Sequence, residues 1–321
     1  MNTNQHTLHE PKLLIEIESF TNRIIDNGLK RKDLPELIRL LDGFELIYSC
    51  NHSYTDYLGL FEFLANNNFY TFQQVRDGRY TYISLLEIDD RLLQFFSMQF
   101  QVHKPKVLFD LRQYKCRVKG RLEKLRTAVE KLFHRYSRNL VVRVDLKYRE
   151  VNQHLVDIEM FDLHVRKLCN RMANKHTCFK NLKFNAWCLE QAPLGSYHIH
   201  LFLIYDGSTS TYDFKLARWV GRIWMDEITE GVGYYWNCHT RKNADEDLEV
   251  SDTERVNAGS TQEEQSYKYL NGLGMIRRND PIGLKRVEAA YSYLARITAE
   301  KMDQRLRVRM KGMRAFGCSS C

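Results

Sequence analysis

The apolar positions of this chain change period near residue 138. Before it they recur at helical spacing. Leu13, Leu14, Ile17, Phe20, Ile24 and Ile25 fall on one helical face. Leu37, Ile38, Leu40 and Leu41 do the same for a second helix, and Pro35, after Asp33, suits its first turn. Leu60 to Leu64 and Leu85 to Phe96 add further apolar faces, so residues 8–100 read as helical. Residues 106–138 read as one long basic helix. Lys115, Arg117, Lys119, Arg121, Lys124 and Arg126 line it, and Leu122, Leu125, Val129 and Leu132 form its apolar stripe. A solvated face is the preferred reading of those cations, and a helix along a phosphate backbone is the other.

From residue 139 the pattern alternates. Val142, Val144 and Leu146 share one side of a strand over 139–148, with Arg143, Asp145 and Lys147 on the other. A helix is predicted over 161–174, strands over 181–189, 196–205 and 233–239, and an amphipathic helix with Trp219 and Trp224 over 212–227. Asp206-Gly207 is a turn signal. Residues 243–266 are acidic and poor in apolar residues, and read as a surface loop. Pro281-Ile282-Gly283 precedes a helix over 284–304, and a basic stretch, 305–314, follows. The expected class is α+β: a central, mainly antiparallel sheet with flanking helices, preceded by a helical N-terminal region. The expected boundary separates residues 1–105 from residues 106–321.

Length and composition narrow the class. The chain has 321 residues, 44% of them hydrophobic, enough for a sizeable core. No apolar run approaches a bilayer span, and no basic-then-apolar leader opens the chain, so a cytoplasmic protein without a membrane partner is expected. Eight cysteines in that setting read as reduced thiols. Cys318 and Cys321 form a C-x-x-C without a second pair, and carry no assigned role. The formal net charge of +8 favours a polyanion, with nucleic acid the usual one.

Candidate chemistry concentrates in Gly195-Ser196-Tyr197-His198-Ile199-His200-Leu201-Phe202-Leu203-Ile204. Residues two apart on a strand share a face, so His198 and His200 point together and outward from an otherwise buried strand. Glu190 lies eight residues before His198, across a turn containing Pro193 and Gly195. A pair of imidazoles can be no more than a polar face. With a carboxylate at hairpin distance, a divalent-metal site is the stronger reading. The absence of cysteine argues against structural zinc, and Mg²⁺ or Mn²⁺ in phosphoryl transfer suits a basic protein. A nucleophile for such a reaction stands in Ala289-Ala290-Tyr291-Ser292-Tyr293-Leu294-Ala295-Arg296. Tyr293 and Arg296 share a helical face, with Lys301 about two turns on. On spacing alone Tyr293 is as well read as a packing residue. Tyr291, roughly 200° away on the helix, and Tyr267-Lys268-Tyr269 are rival nucleophiles. Arg143 and Asp145 flank the site or form a surface ion pair. His52, His103, Cys238 and His239 read as structural.

The block from Gly195 to Leu203 resembles the His-hydrophobe-His motif of the HUH endonucleases, the rolling-circle replication initiators and relaxases. The helix around Tyr293 resembles their tyrosine motif, and Leu140 to Leu146 the strand beneath their active site. The order VVRVDL, LEQ, GSYHIHLFLIYDG, YSYLAR, MRAFGCS is similar, over about residues 135–321, to the inovirus-type initiators of filamentous phages and prophages, often labelled YagK/YfjJ C-terminal domain proteins. The resemblance implies sequence-specific single-strand nicking and joining through a 5′-phosphotyrosine. Tyr293 would be the nucleophile, assisted by Arg296 and Lys301. His198, His200 and Glu190 would hold Mg²⁺ or Mn²⁺ at the scissile phosphate. The implied partners are single-stranded or melted origin DNA and the host replication machinery, in a bacterial cytoplasm. Arginine stands at 296 where the family has lysine, a departure that keeps the charge but not an easy proton shuttle. The basic residues Arg305, Arg307, Arg309, Lys311 and Arg314 follow the tyrosine and read as phosphate contacts, with a solvated helix end as the alternative. Three other functions stay open here: a non-catalytic DNA-binding regulator of a prophage origin, a metal-dependent nuclease using activated water, and a structural prophage protein.

Overall fold

The computed structural model describes residues 9–54, 56–66, 74–76, 79–81, 90–192, 195–239, 271–295 and 304–319. The acidic stretch 243–266, Tyr267-Lys268-Tyr269, Arg296, Lys301, Pro193 and Cys321 lie outside them. The chain forms two compact units. One comprises Met1–Lys115, Pro193–Gly195 and Arg307–Met313; the other holds the remainder. These units divide the chain between Lys115 and Cys116, where the sequence reading set 105/106, and the segment 307–313 belongs to the first.

In the first unit, α1 (Glu10–Asn27) buries Leu13, Leu14, Ile17, Phe20, Ile24 and Ile25, the face expected from their spacing. Helix α2 (Leu34–Ile47) starts with Pro35 in its first turn and buries Leu37, Leu40, Leu41 and Phe44. The helical reading of 8–100 is then corrected. His52–Tyr54 is a strand, β1, and α3 (Gly59–Asn66) follows. Gln74–Arg76 and Arg79–Thr81 form a two-stranded antiparallel ribbon, β2 and β3. Three-residue strands carry too little period to stand out from their helical neighbours. His52 Nδ1 is 3.2 Å from the Tyr54 hydroxyl, and His103 Nδ1 is 2.9 Å from the Gln99 carbonyl, so both are satisfied structural histidines.

The long basic helix, α4 (Asp90–Arg135), begins at Asp90 rather than at 106 and runs through Pro105. Val118, Leu125, Val129 and Leu132 form its buried stripe, while Lys115, Arg117, Lys119, Lys124 and Arg126 are exposed. Arg121 is half-buried, its guanidinium over the Phe316 ring.

The second unit is built on a six-stranded antiparallel sheet. Its strands are β4 (Arg138–Tyr148), β5 (Leu182–Gln191), β6 (Tyr197–Asp206), β7 (Gly233–Asn237), β8 (Gly274–Arg277) and β10 (Phe316–Cys318), with β9 being Val308–Met310 of the first unit. The order is β10-β5-β6-β4, after which β8 and β7 share the far edge of β4 end to end. Helix α5 (Ile158–Ala173) covers one face, where Phe161 stacks on Tyr197 with centroids 4.9 Å apart. On that face α6 (Asp213–Arg222) continues into a π-helical turn, Ile223–Ile228, whose Trp224 packs on Tyr148. Helix α7 (Pro281–Ser292), capped by Asp280, lies on the opposite face, where Tyr291 meets Phe202. It stops at Ser292 and passes into a 3₁₀ turn, Tyr293–Ala295, so the helix expected over 284–304 is shorter. Asp206 serves the turn after β6, accepting from the Ser208 amide at 2.9 Å. No helix among the described residues is long and apolar enough to cross a membrane.

One buried group ties this core to pH. His164 on α5 sits against the Tyr148 hydroxyl at 3.0 Å. Burial, with Lys167 nearby, lowers its pKa from the usual 6.5 to about 4, opposed by Glu230. A histidine depressed in the fold stabilises above its unfolded pKa and loses that contribution as pH falls toward the folded value. Thermal unfolding should therefore show stability falling between pH 6.5 and 4, and a His164→Gln variant should give a flatter curve across that window.

Candidate active site

Three neighbouring strands bring the site together. The β5–β6 hairpin sets Glu190 opposite His198, and β4–β6 pairing sets Asp145 opposite His200. The two-residue alternation then aims all four side chains at one face. Glu190 Oε2 lies 3.0 Å from His200 Nε2 and 3.5 Å from His198 Nε2. The donor atoms of Glu190, His198 and His200 fall within 4.8 Å of one another, and all three residues are buried. One carboxylate oxygen facing two imidazole nitrogens is a donor set that fits a divalent cation, so this group can hold a metal ion. The histidines do not look outward, as the alternation alone suggested. They are 6% and 3% exposed, and the Tyr293 ring lies against His200 on that face.

Asp145 completes the group as an orienter. His200 Nδ1–H donates to Asp145 Oδ1 at 2.7 Å, which turns Nε2 toward Glu190. Burial pushes the Asp145 carboxyl up, but the charges of His200 and Arg143 outweigh it and hold the group well below the usual carboxylate range. Burial pulls His200 down, and Asp145 and Glu190 outweigh it, so its pKa rises. For His198 burial wins over Glu190, and its pKa falls. The two imidazoles thus differ: His198 favours the neutral, ligating form, and His200 is held between two carboxylates. Asp145→Asn should weaken Mn²⁺ binding about 10–100-fold, read by titration calorimetry, while leaving the three donors in place.

Tyr293 packs on one member of this group. Its ring meets the His200 ring edge-on, centroids 4.9 Å apart, and the Arg143 guanidinium lies over it at 3.9 Å. Arg143 also bonds both Asp145 oxygens at 3.3 Å. The pair flanks the site and is not a surface ion pair. Tyr291 goes elsewhere, as the helical angle required. It is buried against Phe202, and burial raises its pKa.

Comparison with family models, curated proteins and solved structures finds no match. Function is therefore argued from the site itself.

Of the other expected site residues, Arg296 and Lys301 lie outside the described residues. The basic stretch 305–314 is corrected. It is not a helix end but holds β9, which pairs with β1. Arg305 and Arg307 are buried. Arg305 pairs its backbone with Glu190, and Arg307 is ion-paired to Glu18. Neither is an exposed phosphate contact; Lys311 and Arg314 are exposed, and Arg309 is half-buried. The cation density masked the alternation Leu306, Val308, Met310, so the stretch read as phosphate contacts rather than as a strand. Cys318 lies in β10 at the sheet edge. His239 is structural, as expected, but its partners could not be read from spacing. It touches the backbone of Arg143 and the carboxylate of Asp213, residues 96 and 26 positions away.

Proposed function

We propose that this chain is a metal-dependent, tyrosine-type enzyme that nicks and rejoins single-stranded DNA, and that it initiates rolling-circle replication of a phage or prophage. The observation that carries the reading is the Tyr293 ring packed on His200, a member of the Glu190–His198–His200 group, and under the Arg143 guanidinium. A phenol beside a metal-binding group and a fixed cation suits phosphoryl transfer to tyrosine, since both can stabilise charge on the reacting phosphate. The resemblance to inovirus-type initiators and the net charge of +8 supply the substrate class.

In this reading Tyr293 Oη bonds to phosphorus as the bond from phosphorus to the 3′ oxygen breaks. The phenol gives its proton to solvent and the departing 3′ oxygen takes one up, so charge and protons balance. The DNA keeps a free 3′ hydroxyl, and its 5′ phosphate stays on the tyrosine. One phosphodiester replaces another, and attack by a 3′ hydroxyl reverses the step. Arg143 fixes the Tyr293 ring and sets a permanent positive charge beside the reacting phosphate. Glu190, His198 and His200 would hold Mg²⁺ or Mn²⁺, which when bound supplies charge neutralisation at phosphate oxygens. Asp145 keeps His200 turned toward that position.

The test is covalent capture. The protein is incubated with labelled single-stranded DNA carrying its replicon's origin and Mn²⁺, then run on a denaturing gel. A shifted protein–DNA band is expected. Cleavage without a shifted band would contradict tyrosine attack and favour activated water. DNA binding without cleavage would favour the regulator.

A further inference from the structure

Among the described residues, the far edge of β4 has a gap in its pairing. Strand β8 pairs with Arg138–Val141 and β7 with Val144–Tyr148, so neither reaches residues 142 and 143. A buried strand amide without a partner is costly. Here the Arg143 amide is met by a side chain: it donates to His239 Nε2 at 3.2 Å. That nitrogen therefore carries a lone pair, and the ring proton sits on Nδ1. Nδ1 lies 2.9 Å from Asp213 Oδ2, where its N–H donates to the carboxylate. The His239 side chain is fully buried and that of Asp213 is 15% exposed. The ring is anchored from its own backbone too, since the His239 amide donates to Asn237 Oδ1 at 3.1 Å. The pair sits where the two half-strands part: Asn237 ends β7, and Gly274, where an added Cβ would lie 3.4 Å from Asp213 Oδ2, begins β8.

We infer that His239, held in one tautomer by Asp213, is a positioning residue: it closes the β7/β8 gap at Arg143 and thereby sets the Arg143 guanidinium over Tyr293. The inference rests on the proposed role of Tyr293 for its consequence in catalysis, but not for its geometry. The Arg143 backbone amide is held by the His239 side chain rather than by a neighbouring strand. Its own side chain bridges Asp145 and the Tyr293 ring. A shift of about 1 Å in its Cα would move the guanidinium off the ring, and misplacement on that scale can cost about 100-fold in rate. Fixing an imidazole tautomer with a carboxylate is the means by which proteins aim the other nitrogen. In this case it aims at a backbone amide.

The experiment uses the full chain with isotope-labelled arginine, in wild type, His239→Leu, His239→Gln and Asp213→Ala. Three quantities are read: the ring-current shift of the Arg143 side-chain signals caused by Tyr293, Mn²⁺ affinity, and the rate of covalent adduct formation. Arg143→Lys assigns the signals and Tyr293→Leu defines the shift. His239→Leu should lose the ring-current shift and form adduct about 100-fold more slowly, with Mn²⁺ affinity within about threefold of wild type. His239→Gln, which keeps an acceptor for the Arg143 amide, should restore both. If His239→Leu does not fold, Asp213→Ala carries the same expectations. A retained shift in a folded variant overturns the inference, and so does a parallel collapse of Mn²⁺ affinity, which marks general disruption. If wild type forms no adduct but the shift still depends on His239, the positioning stands and the nicking reading falls.

Discussion

His200→Ala is expected to abolish Mn²⁺ binding and adduct formation together, and to cost about 3–5 kcal/mol of stability even without metal. The stability loss follows from what surrounds the ring. His200 Nδ1 and Nε2 lie 2.7 Å and 3.0 Å from Asp145 and Glu190, two buried carboxylates. Removing the imidazole leaves a cavity and takes a hydrogen-bond partner from each carboxylate at once. Arg143 still faces Asp145, and His198 still faces Glu190 at 3.5 Å, so the loss should stop short of unfolding the sheet. Urea unfolding of the metal-free protein reads the first effect and calorimetry with Mn²⁺ the second. Wild-type stability in the variant would mean that the imidazole does not bridge the carboxylates in solution.

Tyr293→Phe should lower adduct formation by at least about a thousandfold while leaving Mn²⁺ affinity unchanged. Only the hydroxyl is removed. The ring that meets His200 and lies beneath Arg143 persists, so stability should change by less than about 1 kcal/mol. The variant thus separates nucleophile from metal group, which His200→Ala cannot. Residual cleavage at the wild-type rate, followed on labelled DNA, would assign the chemistry to water.

The metal group was legible in the sequence because it rests on short-range rules. Alternation over two residues joins His198 to His200, and a hairpin of about the expected length returns Glu190 to them. The sheet class, its three long strands β4, β5 and β6, and the shorter edge strand β7 were legible in the same local way. Asp145 was different. Its side of β4 could be read, but its contact with His200 depends on the β4–β6 register, which no local pattern encodes. The burial of the histidines was hidden for a similar reason, since Tyr293, which lies against His200, comes about a hundred residues later. Strands β1 and β9 escaped because three residues carry no period, and because cations at Arg307 and Arg309 made a strand resemble a phosphate-binding stretch. The Asp213–His239 pair fills a gap between two half-strands, and such a gap exists only once the sheet is assembled.

The central claim is that DNA becomes bonded to Tyr293. The most direct measurement is tandem mass spectrometry of the adduct after nuclease and trypsin digestion. Cleavage after Arg286 and Arg296 releases the peptide Val287–Arg296, VEAAYSYLAR, which carries both Tyr291 and Tyr293. The account predicts a 5′-phosphonucleotide on Tyr293, with Tyr291 unmodified. A remnant on Tyr291 or on another residue, or nicked DNA with the peptide unmodified, would contradict it.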